Sequence, residues 1–311
     1  MRPAFSVLLL TTLIGAAQGL FLALFVVQLG ALAGLVPPQE GHRFYAHGSL
    51  LALVLLVAGL VASFFHLGRP ERAWRAAAMW RTSWLSREVI VLPAFIDAVA
   101  LWAWAGPAAA SWLLLLVLLL CALLWLCTAM IYACLRFIQE WAHPLTLLNC
   151  VLIGLASGAV LGCALAAAFD DLRLLHGLGP AALFLTAAAA TARGLSLRRN
   201  AALVPRSTLQ SATGIHSRKL SQVSMGMTGG AFNTREFFHG RTLAWLRGVK
   251  LGFVVLAFVL PLLLLLCALS GGPRWTFVAA ALVQAPGLLA ERWFFFAQAR
   301  HPQNLYYQVV S

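Results

Sequence analysis

Eight uninterrupted apolar stretches, each long enough to cross a bilayer, run through this 311-residue chain. A hydrocarbon core about 30 Å thick needs roughly 20 residues of helix at about 1.5 Å rise per residue. The stretches cover residues 4–35, 48–65, 88–105, 112–135, 144–169, 177–195, 251–269 and 275–297. They are too long and continuous for half-buried strands alternating with period two, so they predict helices. The first begins like a signal peptide, with Arg2 ahead of an apolar run, but continues far past any signal segment and reads as a retained helix. The expectation is an all-α polytopic membrane protein: one eight-helix transmembrane bundle over residues 1–311.

Only 10% of the residues are charged, against about a quarter in soluble domains, and 62% are hydrophobic. That excludes an ordinary cytosolic enzyme, a disordered chain and a disulfide-rich secreted module. A net charge of +13 on a soluble chain would point to nucleic acid. Here it first asks on which side of a membrane the charge lies. With eight spans and a cytoplasmic N-terminus, 19 of the 22 basic residues fall inside, and only Arg43, Arg173 and Arg274 fall outside. Basic residues in short loops stay cytoplasmic, so both termini are expected in the cytoplasm. The chain then reads as a multi-pass protein of a bacterial cytoplasmic (inner) membrane, with no nucleic-acid partner. Two inner segments, 67–87 and 196–248, are large enough to dock a partner, and the second carries a single acid, Glu236.

Gly15 and Gly19, and Gly154, Gly158 and Gly162, have the spacing that lets helix backbones approach closely in lipid. Packing within the bundle and a dimer interface both fit it. Nine tryptophans (80, 84, 102, 104, 112, 141, 245, 275 and 293) cluster near the span ends, as in an aromatic belt. All six cysteines fall within spans without a C-x-x-C pair, so no iron–sulfur cluster or zinc site is expected. His47 and His66 bracket the second span, roughly 28 Å apart along a helix, and cannot share one haem iron. Neither metal ligands nor haem are expected in this chain, and no catalytic residue is assigned.

The stretch with chemical content runs from His66 to Glu88. Gly68 and Pro70 stop a helix, residues 71–80 can form a short interfacial helix, and Ser86 can cap the third span with Glu88 in its first turn. His66, Arg69, Trp80, Ser86 and Glu88 together place an imidazole, a carboxylate, guanidinium and indole at the membrane boundary. A quinone headgroup needs such a setting: two carbonyls to hydrogen-bond, two protons exchanged with two electrons, and a tail left in lipid. Histidine titrates near neutrality and a carboxylate can hand on a proton. The plainer alternative is a basic interfacial loop with snorkelling arginines. Asp97 lies nine residues beyond Glu88, roughly 13 Å deeper, where an acid is costly. Glu88 and Asp97 can be two stations of a proton path, or Asp97 can be a protonated acid bonded to a neighbouring helix. Glu291 and Arg292, near the inner end of the last span, are either a structural ion pair or part of the same cavity.

The run HLGRPERAWRAAAMWRTSWLSREV (66–89) resembles the signature of the membrane-anchor subunits of the DMSO reductase family. MIYACLRFIQEW (130–141), GGAFNTREFFHG (229–240) and ERWFFFAQARHPQNLYYQ (291–308) are similar to the branch serving cytoplasmic sulfite dehydrogenase. The resemblance spans essentially the whole chain. It implies a haem-free eight-helix anchor bound to a four-cluster, ferredoxin-like iron–sulfur subunit and a molybdopterin catalytic subunit. Such an anchor exchanges electrons with ubiquinone or menaquinone. The family's quinone-site histidine falls on His66 and its motif acid on Glu88.

Orientation bears on direction. DMSO reductases of this kind carry their catalytic subunits outside the cytoplasmic membrane, whereas His66 and both large loops here lie on the expected cytoplasmic face. That favours electrons passing from sulfite through cytoplasmic partners to quinone. The alternatives are a quinol-oxidising anchor of a DMSO or other S- or N-oxide reductase, a structural anchor without a quinone site, and a membrane transporter. No clear inverted repeat or pair of broken helices supports the last.

Overall fold

A computed structural model of the chain describes residues 1–34, 43–106, 111–223 and 239–306. Much of the motif at 229–240 therefore lies outside the described residues, together with Glu236. The described residues are helical, with no strand among them. The long helices are α1 (Phe5–Leu32), α2 (Arg43–Phe64), α3 (Trp84–Ala105), α4 (Ser111–Ala133), α5 (Pro144–Ala168) and α6 (Leu172–Ala201). A five-residue α7 (Leu209–Thr213) precedes α8 (Leu243–Leu269) and α9 (Trp275–Ala297).

Seven of these helices, α1 to α6 and α8, are long and apolar enough to cross a membrane. The eighth expected span does form a continuous helix, α9, of 23 residues. Gln284, Glu291 and Arg292 dilute its apolar character, and all three are buried against other helices. The sixth helix runs further than its expected limits of 177–195, from Leu172 to Ala201, and Arg193 near its inner end is buried. The Met1 amino nitrogen lies 3.3 Å from the Phe296 carbonyl, so both ends of the described chain meet on one face.

The bundle closes on a glycine seam between α1 and α5. A Cβ on Gly19 would stand 1.9 Å from the Gly154 carbonyl oxygen, and one on Gly158 would stand 1.9 Å from the Gly19 carbonyl carbon. The two backbones touch, which is the packing reading of the small-residue spacing. Gly287 does the same for α9, where a Cβ would meet Ala257 N at 2.3 Å. Opposite it, α8 carries a π-helical turn, Val255–Val259. The Gln284 side-chain amide donates to the Ala257 carbonyl in that turn at 3.2 Å, supplying a partner to backbone the wider turn exposes.

Two tryptophans expected in the belt belong to the core. Trp102 is buried and donates to Gln28 Oε1 at 2.9 Å, and Trp141 is stacked on Phe295 and donates to its carbonyl at 3.1 Å. Indole N–H groups need an acceptor when buried, and each has one. Trp80, Trp104, Trp112, Trp245 and Trp275 are exposed, as a belt requires. Cys134 lies one residue past α4 and is exposed, so it is not within a span; Cys121, Cys127 and Cys163 are buried.

Candidate functional site at one end of the bundle

The segment between α2 and α3 is built as a membrane-surface strap. Pro70–Ala77 forms a 3-10 helix with Pro70 at its start. The cap of α3 is Ser83 rather than Ser86: Ser83 Oγ accepts from the Ser86 N–H at 3.3 Å, and the helix begins at Trp84. The earlier start places Ser86 and Glu88 inside α3 on its buried face. Arg87 fastens the strap, donating through Nε to the Trp80 carbonyl at 2.9 Å and through Nη2 to the Arg81 carbonyl at 2.8 Å. Its guanidinium also lies over the Trp84 ring, 4.2 Å from the centroid.

The five candidate headgroup residues divide into two groups. His66, Arg69 and Trp80 are exposed on the strap, beside exposed Phe64 and Phe65. Ser86 and Glu88 are buried in the bundle. Partial burial of the His66 ring lowers its pKa below the ordinary value, favouring the neutral imidazole, which can both donate and accept. Apolar rings beside an uncharged imidazole fit a lipophilic quinone with carbonyl acceptors. Glu88 accepts a hydrogen bond from the Thr128 hydroxyl of α4, and Thr128 is buried too.

Asp97 is not brought to Glu88. Nine residues are two and a half helical turns, so the two acids stand on opposite faces of α3, Glu88 buried and Asp97 exposed. The neighbours Glu88 does have come from other helices. Tyr132 of α4 and Cys150 of α5 lie within electrostatic reach of both Glu88 and Arg292. Arg292 of α9 lies over the Phe295 ring, 5.3 Å from the centroid, and lines a small interior cavity together with Cys150. Glu291 does not pair with its neighbour Arg292, because adjacent helical side chains diverge by about 100°. It pairs with Arg193 of α6, Nε to Oε1 at 2.7 Å, with both side chains almost wholly buried.

The sequence shows this interior cluster only in part. Glu291 and Arg292 stand out there, but Arg193, two residues from the expected end of the sixth span, counts only as one of the inner-face basic residues. Thr128, Tyr132 and Asn149 are polar residues inside apolar spans, which is the signal that marks them. Below the cluster, toward the chain ends, a cleft of about 730 Å³ opens among α6, α8, α9 and the α4–α5 turn. Arg206, Arg247, Lys250 and Arg300 line it, with Glu140 as its one acid. Among the described residues, no three His, Cys, Asp or Glu side chains gather as metal ligands would.

The chain matches, over residues 1–270, the family described as DMSO reductase anchor subunit (DmsC). The chain belongs to that anchor family. Over its whole length it is 51% identical to a subunit of the sulfite dehydrogenase of Allochromatium vinosum, covering all of both chains. The family match ends before α9, so Glu291 and Arg292 fall in the part shared with the full-length relative. An anchor family and several apolar helices make this a multi-pass membrane protein.

Proposed function

We propose that this protein is the membrane anchor and quinone-binding subunit of a molybdopterin and iron–sulfur oxidoreductase, passing electrons from sulfite oxidation to the quinone pool. The observation behind the reading is the full-length similarity to one of the subunits of a sulfite dehydrogenase. In it, eight helices cross the bacterial inner membrane with both termini cytoplasmic. A four-cluster iron–sulfur subunit and a molybdopterin subunit dock on the cytoplasmic face, against loops 67–87 and 196–248. The bound quinone, ubiquinone or menaquinone, supplies a two-electron, two-proton acceptor.

The chain's own residues bind, orient and protonate. His66, neutral and set close to Phe64 and Phe65, donates to a carbonyl while the strap indole of Trp80 and the Arg69 guanidinium bound the headgroup. Arg87 holds the strap in place through the Trp80 and Arg81 carbonyls. Glu88, held by the Thr128 hydroxyl near the start of α3, handles protons on the buried side, with Ser86 buried beside it on the same helix. Replacing His66 with Gln in the assembled complex should lower quinone reduction about a hundredfold while sulfite-dependent dye reduction continues; unchanged quinone reduction would reduce the protein to a structural anchor.

A second reading, a quinol-oxidising anchor of a DMSO or other S- or N-oxide reductase, is favoured by the family's name. It requires the opposite orientation. A reporter active only in the periplasm, fused after Ser311, stays silent in the sulfite reading and active in the other. Copurification with larger iron- and molybdenum-containing subunits excludes a transporter.

A further inference from the structure

Two cavities at the inner end of the bundle share a wall. The cleft of about 730 Å³ and a small interior cavity of about 10 Å³ are both lined by Glu140 and Gln298. The interior cavity is bounded beyond them by Asn149, Cys150, Arg193, Glu291 and Arg292. Its size is about that of one water, which needs roughly 10–15 Å³ and several polar partners. Polar partners are there: Asn149 Oδ1, Arg193 Nη2, Arg292 Nε and Gln298 Nε2 are buried with no protein group to bond. Buried polar atoms are almost always satisfied, so this group is built around water. On the far side, Cys150 lines the cavity beside Arg292 and lies within electrostatic reach of Glu88. Thr128 closes the chain by donating to Glu88.

We propose that Glu140, Asn149 and the Arg193–Glu291 pair line a water-mediated proton route from the basic cleft, past Cys150 and Tyr132, to Thr128 and Glu88. This rests on the quinone reading and replaces Asp97 with residues the fold brings together. Reduction of one quinone takes two electrons from the iron–sulfur partner and two protons, one to each carbonyl oxygen. The protons enter from the aqueous phase at the cleft, and Glu88 is reloaded through the route after each delivery. Within the bundle the two carboxylates of Glu291 and Glu88 match the two guanidiniums of Arg193 and Arg292 in number, and Glu140 is the one acid at the basic mouth. Asn149 and the thiol and hydroxyl groups add the uncharged stations between them.

The test uses the intact complex in membranes, stoichiometrically reduced and mixed with a short-chain ubiquinone, with Glu140→Gln and Asn149→Leu. Glu140 makes no buried ion pair and Asn149→Leu conserves volume, so both variants should assemble. Each should slow quinone reduction, by up to about a hundredfold as expected for loss of positioned proton transfer. The solvent deuterium isotope effect should rise, and small weak acids should restore the rate. Oxidation by ferricyanide, which takes electrons without protons, should be unchanged. Wild-type rates, or slowing without a larger isotope effect and without rescue, would overturn the route. His66→Gln separates the two claims: if it alone blocks quinone reduction, the quinone site stands and the route falls. If neither His66→Gln nor the route variants affect quinone reduction, the quinone reading itself falls.

Discussion

Arginines occupy two opposite environments at the same end of this bundle. On the strap and the first turn of α3, Arg75, Arg81 and Arg87 lie over Trp74, Trp80 and Trp84, in contact with solvent or the headgroup layer. A few turns away, Arg193 and Arg292 are buried among α5, α6 and α9, over Phe253 and Phe295 and beside a single paired carboxylate. The strap arginines are cheap to place, because a snorkelling guanidinium keeps its hydration. The buried pair forfeits hydration and holds its geometry only through partners, so it marks a place where the fold tolerates cost. Charge counted along the chain treats both sets alike, and two of the 19 residues assigned to the inner surface belong instead to the interior.

The largest effect should come from breaking the interior pair on one side only. Glu291→Ala leaves Arg193 buried without its carboxylate and should cost about 3–5 kcal/mol, seen as loss of folded protein in membranes and a lower Tm in detergent. The double change Arg193→Met with Glu291→Leu removes the charges together and should recover most of that stability. A double variant as unstable as the single one would mean that packing, not unpaired charge, dominates.

The strap side offers the next effect, on function rather than stability. His66→Gln should lower quinone reduction about a hundredfold with assembly intact. Burial lowers the His66 pKa below 6.5, so the folded chain binds that proton less readily than the unfolded one. The linked penalty is absent above 6.5 and grows as pH falls through that value. Quinone binding by the native complex should therefore be level from neutral to alkaline pH and change in acid. The Gln variant should lose the acid limb.

The helical class, most span limits and the small-residue stripes on α1 and α5 were legible because apolar length and residue spacing are local patterns, whereas their pairing with each other came only from the fold. The strap was legible too, with its 3-10 segment at the expected place. The cap moved from Ser86 to Ser83 because either serine suits the position and only backbone conformation decides. The partnership of Glu291 with Arg193 was not legible, since 98 residues separate them and the adjacent Arg292 is the obvious partner on paper. Asp97 misled for a similar reason: depth follows from residue count, but facing follows from which side of α3 meets α4.

That facing sets a third, smaller expectation. Asp97→Asn should leave quinone reduction within about twofold, well inside what loss of a positioned proton donor produces. A large loss confined to proton-coupled turnover would join Asp97 to the Glu88 route despite its place on the opposite face.

The smallest effect belongs to the strap's own ion pair. Arg72 Nε and Glu71 Oε1 are 4.0 Å apart, with side chains 50% and 67% exposed. Exposed pairs at this distance are worth about 0–1 kcal/mol, because water screens the charges and two long side chains lose freedom in meeting. Arg72→Ala should leave Tm essentially unchanged, in contrast to the interior pair with the same chemistry. What it can change is docking, since a solvated guanidinium still attracts an acidic partner surface within the roughly 8 Å screening length of physiological salt. Measured as recovery of the iron–sulfur subunit on purification at rising salt, the Arg72 variant should lose its partner at lower ionic strength. An unchanged salt profile would assign docking to the 196–248 loop and leave the strap to the headgroup alone.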